Sequence, residues 1–351
     1  MKTLLVGWWR YDIYEAAFAS GLCEAGCSVT RFSLADELPR HWASGLEARL
    51  RAGPHVRALN ARLLETVKRE EPDLLFLYRC DLIRAATLKA VRQAMPRCRI
   101  VAFHNDDPFV GLANKLKWRH YLSSLPQCDL VCVYRPRNAE DARRCGARVT
   151  MILPPYYVSS RHRPVGVRGA DSVRDVIYIG HYEEDDRGEL LDYLFRNDVS
   201  VRVCGHPSQW RRARKRYEWA REQDISLVWG DAYAEAISAS KIALVFLSGM
   251  NRDVWTRRCF EIPACGTLMV APRTPELLNL FAEDREAVYY GSREELLAKV
   301  RYYLAHEDER QRIANSGRQR CLRDGHSEIG RARQLLARVS ALPPQSHEGR
   351  R

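Results

Sequence analysis

The chain has 351 residues, 46% hydrophobic and 28% charged, which is room for two cores at about 150 residues each and excludes global disorder and a coiled coil. The formal net charge of +12 comes from 48 Arg and 8 Lys against 44 acidic residues. An arginine skew spread along the whole chain reads as background composition; it favours an anionic ligand or membrane surface and does not by itself imply nucleic acid.

No apolar run approaches the roughly 20 residues needed to cross a bilayer. Residues 2–7 are too few for a signal-peptide core and read as a first strand, so the expected location is the cytoplasm. Strand-like runs follow at 28–33, 73–78, 99–104, 129–134 and 148–153, with helical stretches such as 13–24 and 82–93 between them. A Pro-, Gly- and Arg-rich stretch after Leu153 breaks the rhythm, which restarts with strands expected at 175–180, 200–204, 226–228, 242–247, 267–270 and 287–290. From Ser292 the chain reads as helical. This alternation predicts two doubly wound parallel-sheet α/β domains, 1–160 and 173–341, joined by a linker at 161–172 and followed by a disordered basic tail at 342–351. Ligands then belong at the carboxyl ends of the strands, in a cleft between the domains. The eleven cysteines show no framework: Cys23/Cys27 and Cys128/Cys132 lack a second pair of metal-finger spacing. They read as buried thiols in a reducing compartment, with no metal site.

Residues 248–271 carry the most chemistry. They read as strand end, loop, short helix, Gly266 at the helix C′ position and then the next strand. Thr256 can cap the helix, which sets Arg257 and Arg258 in its first turn. Two cations at the positive end of a helix dipole are unfavourable by about 0.3–1 kcal/mol each, and an anion such as a diphosphate would reverse that sign. A solvated arginine pair in an arginine-rich chain is the alternative reading, and at this level both stand.

The run Phe260-Glu261-Ile262-Pro263-Ala264-Cys265-Gly266, within 251–266, resembles the CgeB-like group of GT-B glycosyltransferases, which are related to the retaining family-four sugar transferases. The resemblance extends to Arg273-Thr274-Pro275-Glu276, to Tyr178-Ile179-Gly180-His181, and to His104-Asn105-Asp106-Asp107-Pro108. It covers most of 100–330, while residues 1–95 match only in general pattern. It implies a GT-B fold, two Rossmann-like domains facing across a cleft. The implied activity is metal-independent transfer of a sugar, with retention, from a nucleoside-diphosphate donor to an acceptor hydroxyl. No cofactor is implied.

By the same resemblance Glu261 binds the ribose hydroxyls, a role that suits an acceptor-only carboxylate, and Arg257 and Arg258 contact the diphosphate. Asp253 stands where relatives carry a Glu, one methylene longer, near the donor sugar. Asn251, Thr256, Gly180 and His181 complete the nucleotide side. His104 is expected to line the acceptor side, where it or the Asp106/Asp107 pair could orient or deprotonate a hydroxyl; a plain turn ahead of Pro108 is the alternative for the pair. Gly7, ending the first strand, would let a ligand approach the backbone. Trp8 and Trp9 are read as core packing ahead of sugar stacking. Arg187 is a further candidate phosphate contact. The basic run at 210–217 is read as a solvated helix face, with a peripheral contact at the inner membrane face as the alternative. The acceptor could be a small molecule, glycan, lipid or protein. Two rivals accompany the enzyme reading: a non-catalytic sugar-nucleotide-binding or surface/spore assembly factor on the same fold, and a nucleic-acid-binding α/β protein, which the motifs do not support.

Overall fold

Strand and helix alternate throughout the computed structural model, which describes residues 1–166 and 174–344. It divides into two units, Met1–Pro154 together with the chain from Glu328 on, and Pro155–Ser327. The first unit is a six-stranded parallel sheet in the order β2-β1-β3-β4-β5-β6: β1 Lys2–Gly7, β2 Ser28–Ser33, β3 Leu74–Tyr78, β4 Arg99–His104, β5 Leu130–Val133 and β6 Thr150–Ile152. All of β3, Leu-Leu-Phe-Leu-Tyr, is buried, as a central strand covered on both faces must be. The second unit is a five-stranded parallel sheet ordered β11-β10-β9-β7-β8: β7 Arg174–Ile179, β8 Val201–Cys204, β9 Ser240–Leu244, β10 Leu268–Pro272 and β11 Val288–Tyr290. Its core gathers Tyr178, Trp210, Trp219 and Phe246 between sheet and helices. The expected fold of two doubly wound parallel sheets is the fold observed.

Both sheets reverse strand order once. In the first unit β1 pairs with β2 on one side and with β3 on the other. In the second, β7 pairs with β8 and with β9. The carboxyl ends of β1/β3 and of β7/β9 are therefore the topological switch points, where α/β sheets leave a crevice.

Four expectations need correction. Residues 226–228 form no strand; Leu227 is exposed, and Gly205 N–H donates to the Ser226 carbonyl. The expected linker is partly structure of the second unit. His162 is buried, and Val165 N–H donates to Ser238 Oγ at 3.2 Å. Residues 167–172 of that stretch lie outside the described residues. The last helix, Glu328–Ser340, belongs to the first unit. It lies against helix Ala17–Glu24, where Gly21 leaves the room: a Cβ there would sit 2.6 Å from the Glu328 carbonyl oxygen. Finally, the expected tail begins packed, with Leu342 buried and Arg99 Nη2 donating to the Pro343 carbonyl at 2.6 Å; residues 345–351 lie outside the described residues.

Candidate functional site

In the second unit, Gly180 follows β7, and the loop after β9 leads into helix Arg258–Ala264. Thr256 Oγ1 accepts from Arg258 N–H at 3.1 Å, a side-chain cap on the first turn. Gly266 ends the helix with φ 78°, the left-handed C′ conformation that glycine adopts freely.

Glu261 is buried on this helix. Its Oε1 accepts from Arg257 Nε at 2.9 Å and its Oε2 from the Tyr233 hydroxyl at 2.7 Å, with His162 Nε2 at 3.7 Å from Oε1. Burial pushes the carboxyl upward, but Arg257, His162, Tyr233 and Arg258 together hold it below its ordinary value. Arg257 is thus paired with a buried carboxylate and stacked over Tyr156, 4.8 Å from the ring centre. Arg258 is different. Among the described residues it makes no ion pair, its Nη1 reaches Thr256 Oγ1 only at 3.5 Å, and its Nη2 lies 3.1 Å from where a Cβ on Gly180 would stand. The bare backbone of Gly180 is what lets this guanidinium reach the strand end.

Arg187 is committed to its neighbours: Nε and Nη2 each contact Asp185 at 2.7 Å, and Nη1 donates to the His181 carbonyl at 2.8 Å. His181 pairs with Glu183 at 2.7 Å, and Glu183 also accepts from Ser248 Oγ. Ser248 anchors the loop, accepting on its Oγ from Asn251 N–H and on its carbonyl from Asp253 N–H. A cavity of about 580 Å³ lined by Asp185, Arg187, Phe246, Gly249, Arg273 and Tyr290 borders this loop, but Glu261, Arg257 and Arg258 do not line it.

In the first unit, the space at Gly7 is taken by the protein itself. A Cβ on Gly7 would lie 2.5 Å from Glu15 Cγ, and Glu15 Oε1 accepts from Trp8 N–H at 3.1 Å. The expected close approach of a ligand to Gly7 is therefore replaced by an internal carboxylate, which burial pushes upward in pKa. His104 ends β4 buried against Trp118 and Tyr121. Its Nδ1 accepts from Asp106 N–H at 3.1 Å, and among the described residues its buried Nε2 has no hydrogen-bond partner. Burial lowers its pKa to about 4, so the imidazole is neutral at pH 7. Asp107, fully buried, accepts from Phe109 N–H and Asn138 Nδ2, the geometry of an Asx turn. Asp106 lies 3.8 Å from Arg79. Among the described residues, no group of three or more His, Cys, Asp or Glu is placed to hold a metal ion.

A cavity of about 720 Å³ opens at the β1/β3 switch point of this unit. The sequence reading named only Trp8 among its walls. The rest, including Arg79 and Asp81 just past β3, follow the carboxyl-end rule, which could have pointed to them.

Residues 187–337 match the family described as "Glycosyl transferase-like". The whole chain is similar to solved structures of GT-B glycosyltransferase type at low identity. One is a sucrose-phosphate synthase from Thermosynechococcus elongatus, with TM-score 0.67 and 14% identity, covering 97% of this chain and 99% of that one. Another is Anabaena HepE in complex with UDP-glucose, with TM-score 0.67 and 12% identity over 97% and 100%. A third is a trehalose-6-phosphate synthase studied for glycosyl transfer with retention, with TM-score 0.65 and 12% identity over 98% and 100%. A comparison with curated proteins found no match. The fold is thereby defined as GT-B, and residues 187–337, most of the second unit and the start of the last helix, are glycosyl transferase-like. No helix among the described residues is long and apolar enough to cross a membrane.

Proposed function

We propose that the protein transfers a sugar from a nucleoside-diphosphate donor, held by the second unit, to an acceptor hydroxyl, without a metal and with retention, in the manner of the CgeB-like group. The observation that carries the reading is the division of labour between the two arginines ahead of Glu261. Arg257 is spent on Glu261, so Arg258, without an ion pair among the described residues and placed over Gly180 at the switch point, is the guanidinium left for the diphosphate. A carboxylate offers about four lone-pair sites. Arg257 and Tyr233 take one on each oxygen of Glu261, which leaves one on each for the two hydroxyls of a ribose. Charge gathering on the departing nucleotide is then met by a fixed cation. HepE, crystallised with UDP-glucose, UDP and glucose, supports a UDP-sugar as the first donor to try, and retention is supported by the trehalose-6-phosphate synthase work. The expected setting is cytoplasmic. The arginines of helix Arg211–Arg216 offer the peripheral membrane contact that a lipid acceptor would require.

The test is calorimetric titration of UDP, GDP and ADP into wild type and Arg258→Met. The expected result is loss of nucleotide affinity in the variant, with turnover of the wild type persisting in chelator and the product keeping the donor's anomeric configuration by NMR. Unchanged nucleotide affinity in Arg258→Met would remove the assignment. A second reading, a nucleotide-sugar-binding protein without turnover, draws on Asp253 standing one methylene short of the related Glu; binding without transfer over a broad donor and acceptor panel would favour it.

A further inference from the structure

The first-unit cavity is built from chain segments that the glycosyltransferase reading leaves unused. Five arginines line it, Arg10, Arg40, Arg49, Arg51 and Arg79, against two carboxylates, Glu15 and Asp81. Asp81 is already engaged: Arg51 Nε and Trp8 Nε1 donate to its two oxygens at 3.1 and 2.9 Å. Arg10, Arg40 and Arg49 are exposed and form no ion pair among the described residues. Arg79 Nε is buried without a hydrogen-bond partner among the described residues. Like charges gathered around one concavity raise its potential, and a guanidinium fork can donate to two oxygens of a phosphate or carboxylate at once.

The walls are also aromatic. Trp8, Tyr14 and Trp118 line the same space, and Arg10 and Arg79 lie over the Trp8 and Tyr14 rings at 4.3 and 4.6 Å. Flat apolar faces beside cations suit a ring that is apolar on one face and charged at one substituent.

The backbone adds an independent mark. The two strands of the switch point, β1 and β3, are each followed within two residues by a bulky residue in left-handed conformation, Trp9 at φ 54° and Arg79 at φ 55°. Beyond Trp9 the chain makes a π-turn at Asp12–Ala16. Such strain costs free energy and persists where the surroundings impose it, most often at binding sites.

We propose that this cavity is the acceptor pocket and that the acceptor is an anionic sugar, its ring against Trp8 and Tyr14 and its phosphate or carboxylate among Arg10, Arg40 and Arg49. The inference rests on the glycosyltransferase reading for the word acceptor, but its test is a binding measurement that does not need turnover.

The full chain is titrated with glucose 6-phosphate, glucuronate, glucose and inorganic phosphate, at low and high salt. One or both anionic sugars should bind, with affinity falling as salt rises, and should bind about tenfold or more tighter than glucose or inorganic phosphate. Whichever binds distinguishes a phosphorylated from a carboxylated acceptor. The triple variant Arg10→Ala/Arg40→Ala/Arg49→Ala should lose that binding about tenfold or more while keeping wild-type UDP affinity and thermal midpoint. Should the triple variant fail to fold, Arg10→Ala and Arg49→Ala are read singly in the same way. Equal binding of glucose, equal binding of inorganic phosphate, no binding of either anionic sugar, or an unaffected variant each overturns the proposal. Failure of UDP binding alongside intact anionic-sugar binding would instead overturn the donor assignment and leave this pocket standing.

Discussion

The two switch points handle charge in opposite ways. At the second unit's, Arg257 and Arg187 are each paired with a buried or half-buried carboxylate, and Glu261 accepts from a guanidinium and a phenol with an imidazole 3.7 Å away. At the first unit's, cations outnumber carboxylates, three arginines stand without ion pairs among the described residues, and the backbone is strained at Trp9 and Arg79. A charge that is satisfied internally serves mainly to fix geometry. A charge that is not satisfied leaves its free energy to a ligand. The second region is thus arranged around a rigid scaffold with Arg258 left over, and the first around a deficit of negative charge.

Glu261→Ala is the most severe test of that contrast. It strands Arg257, whose side chain is only 14% exposed, and breaking a buried ion pair costs about 3–5 kcal/mol. Chemical denaturation should show that loss, and Glu261→Gln should lose less because Tyr233 keeps an acceptor. If Glu261→Ala unfolds at the wild-type midpoint, the carboxylate is no structural anchor, and the contrast between the two regions collapses.

The next effect is a pH dependence. Unfolded, His104 takes up a proton near its ordinary value of 6.5; folded, burial delays uptake to about 4. Its contribution is therefore fully present above pH 6.5 and is lost as pH falls toward 4, about 3 kcal/mol over the window. His104→Asn keeps an acceptor for Asp106 N–H and removes the proton site. Its stability should fall less steeply than wild type between those pH values. Parallel curves would mean that the imidazole is not the buried neutral group described here.

Much of this was legible in the sequence, and the boundary of legibility is physical. β1 and β4 have the expected limits because buried parallel strands are continuous apolar runs closed by turn residues; the edge strand β2, Ser-Val-Thr-Arg-Phe-Ser, also has the expected limits, although only its last two residues are buried. Gly266 was readable because a helix stop has a local signature. Tyr233 and His162 were not, since each reaches Glu261 through tertiary contact from distant segments. Nor was the second role of residues 155–166: their Pro, Gly and Arg content signals a linker, while Pro164 and His162 pack against the second unit. The last helix shows an apolar stripe of Ala332, Leu335 and Val339, but a stripe does not say which unit it covers. At Gly7 a ligand was expected against the backbone, and the space is instead held by Glu15.

Gly7→Ala measures that occupancy. The added methyl meets Glu15 Cγ at 2.5 Å in a buried setting, and overpacking of this kind costs about 1–3 kcal/mol. Combining it with Glu15→Ala should recover most of the loss, since contacting sites are not additive. If the two losses simply add, the carboxylate does not occupy the glycine's space.

The smallest effect asks whether strain alone marks a site. Glu71, exposed at the end of helix Pro54–Glu70, is also left-handed, at φ 46°, yet it caps a helix and lines no described cavity. Relieving a left-handed non-glycine residue is worth roughly 1–2 kcal/mol, of which the looser unfolded chain takes back about 0.4–1 kcal/mol. A carboxylate near a helix carboxyl end is itself unfavourable, so its removal pushes the same way. Glu71→Gly should therefore raise stability by about 0.5–1 kcal/mol in denaturant titration and leave anionic-sugar and nucleotide binding unchanged. Arg79→Gly relieves the same backbone strain but removes a cation from the cavity, so it should weaken anionic-sugar binding whatever it does to stability. If the two glycine variants behave alike in binding, the left-handed residue at Arg79 is an ordinary turn, and the charge of the pocket must carry the argument without it.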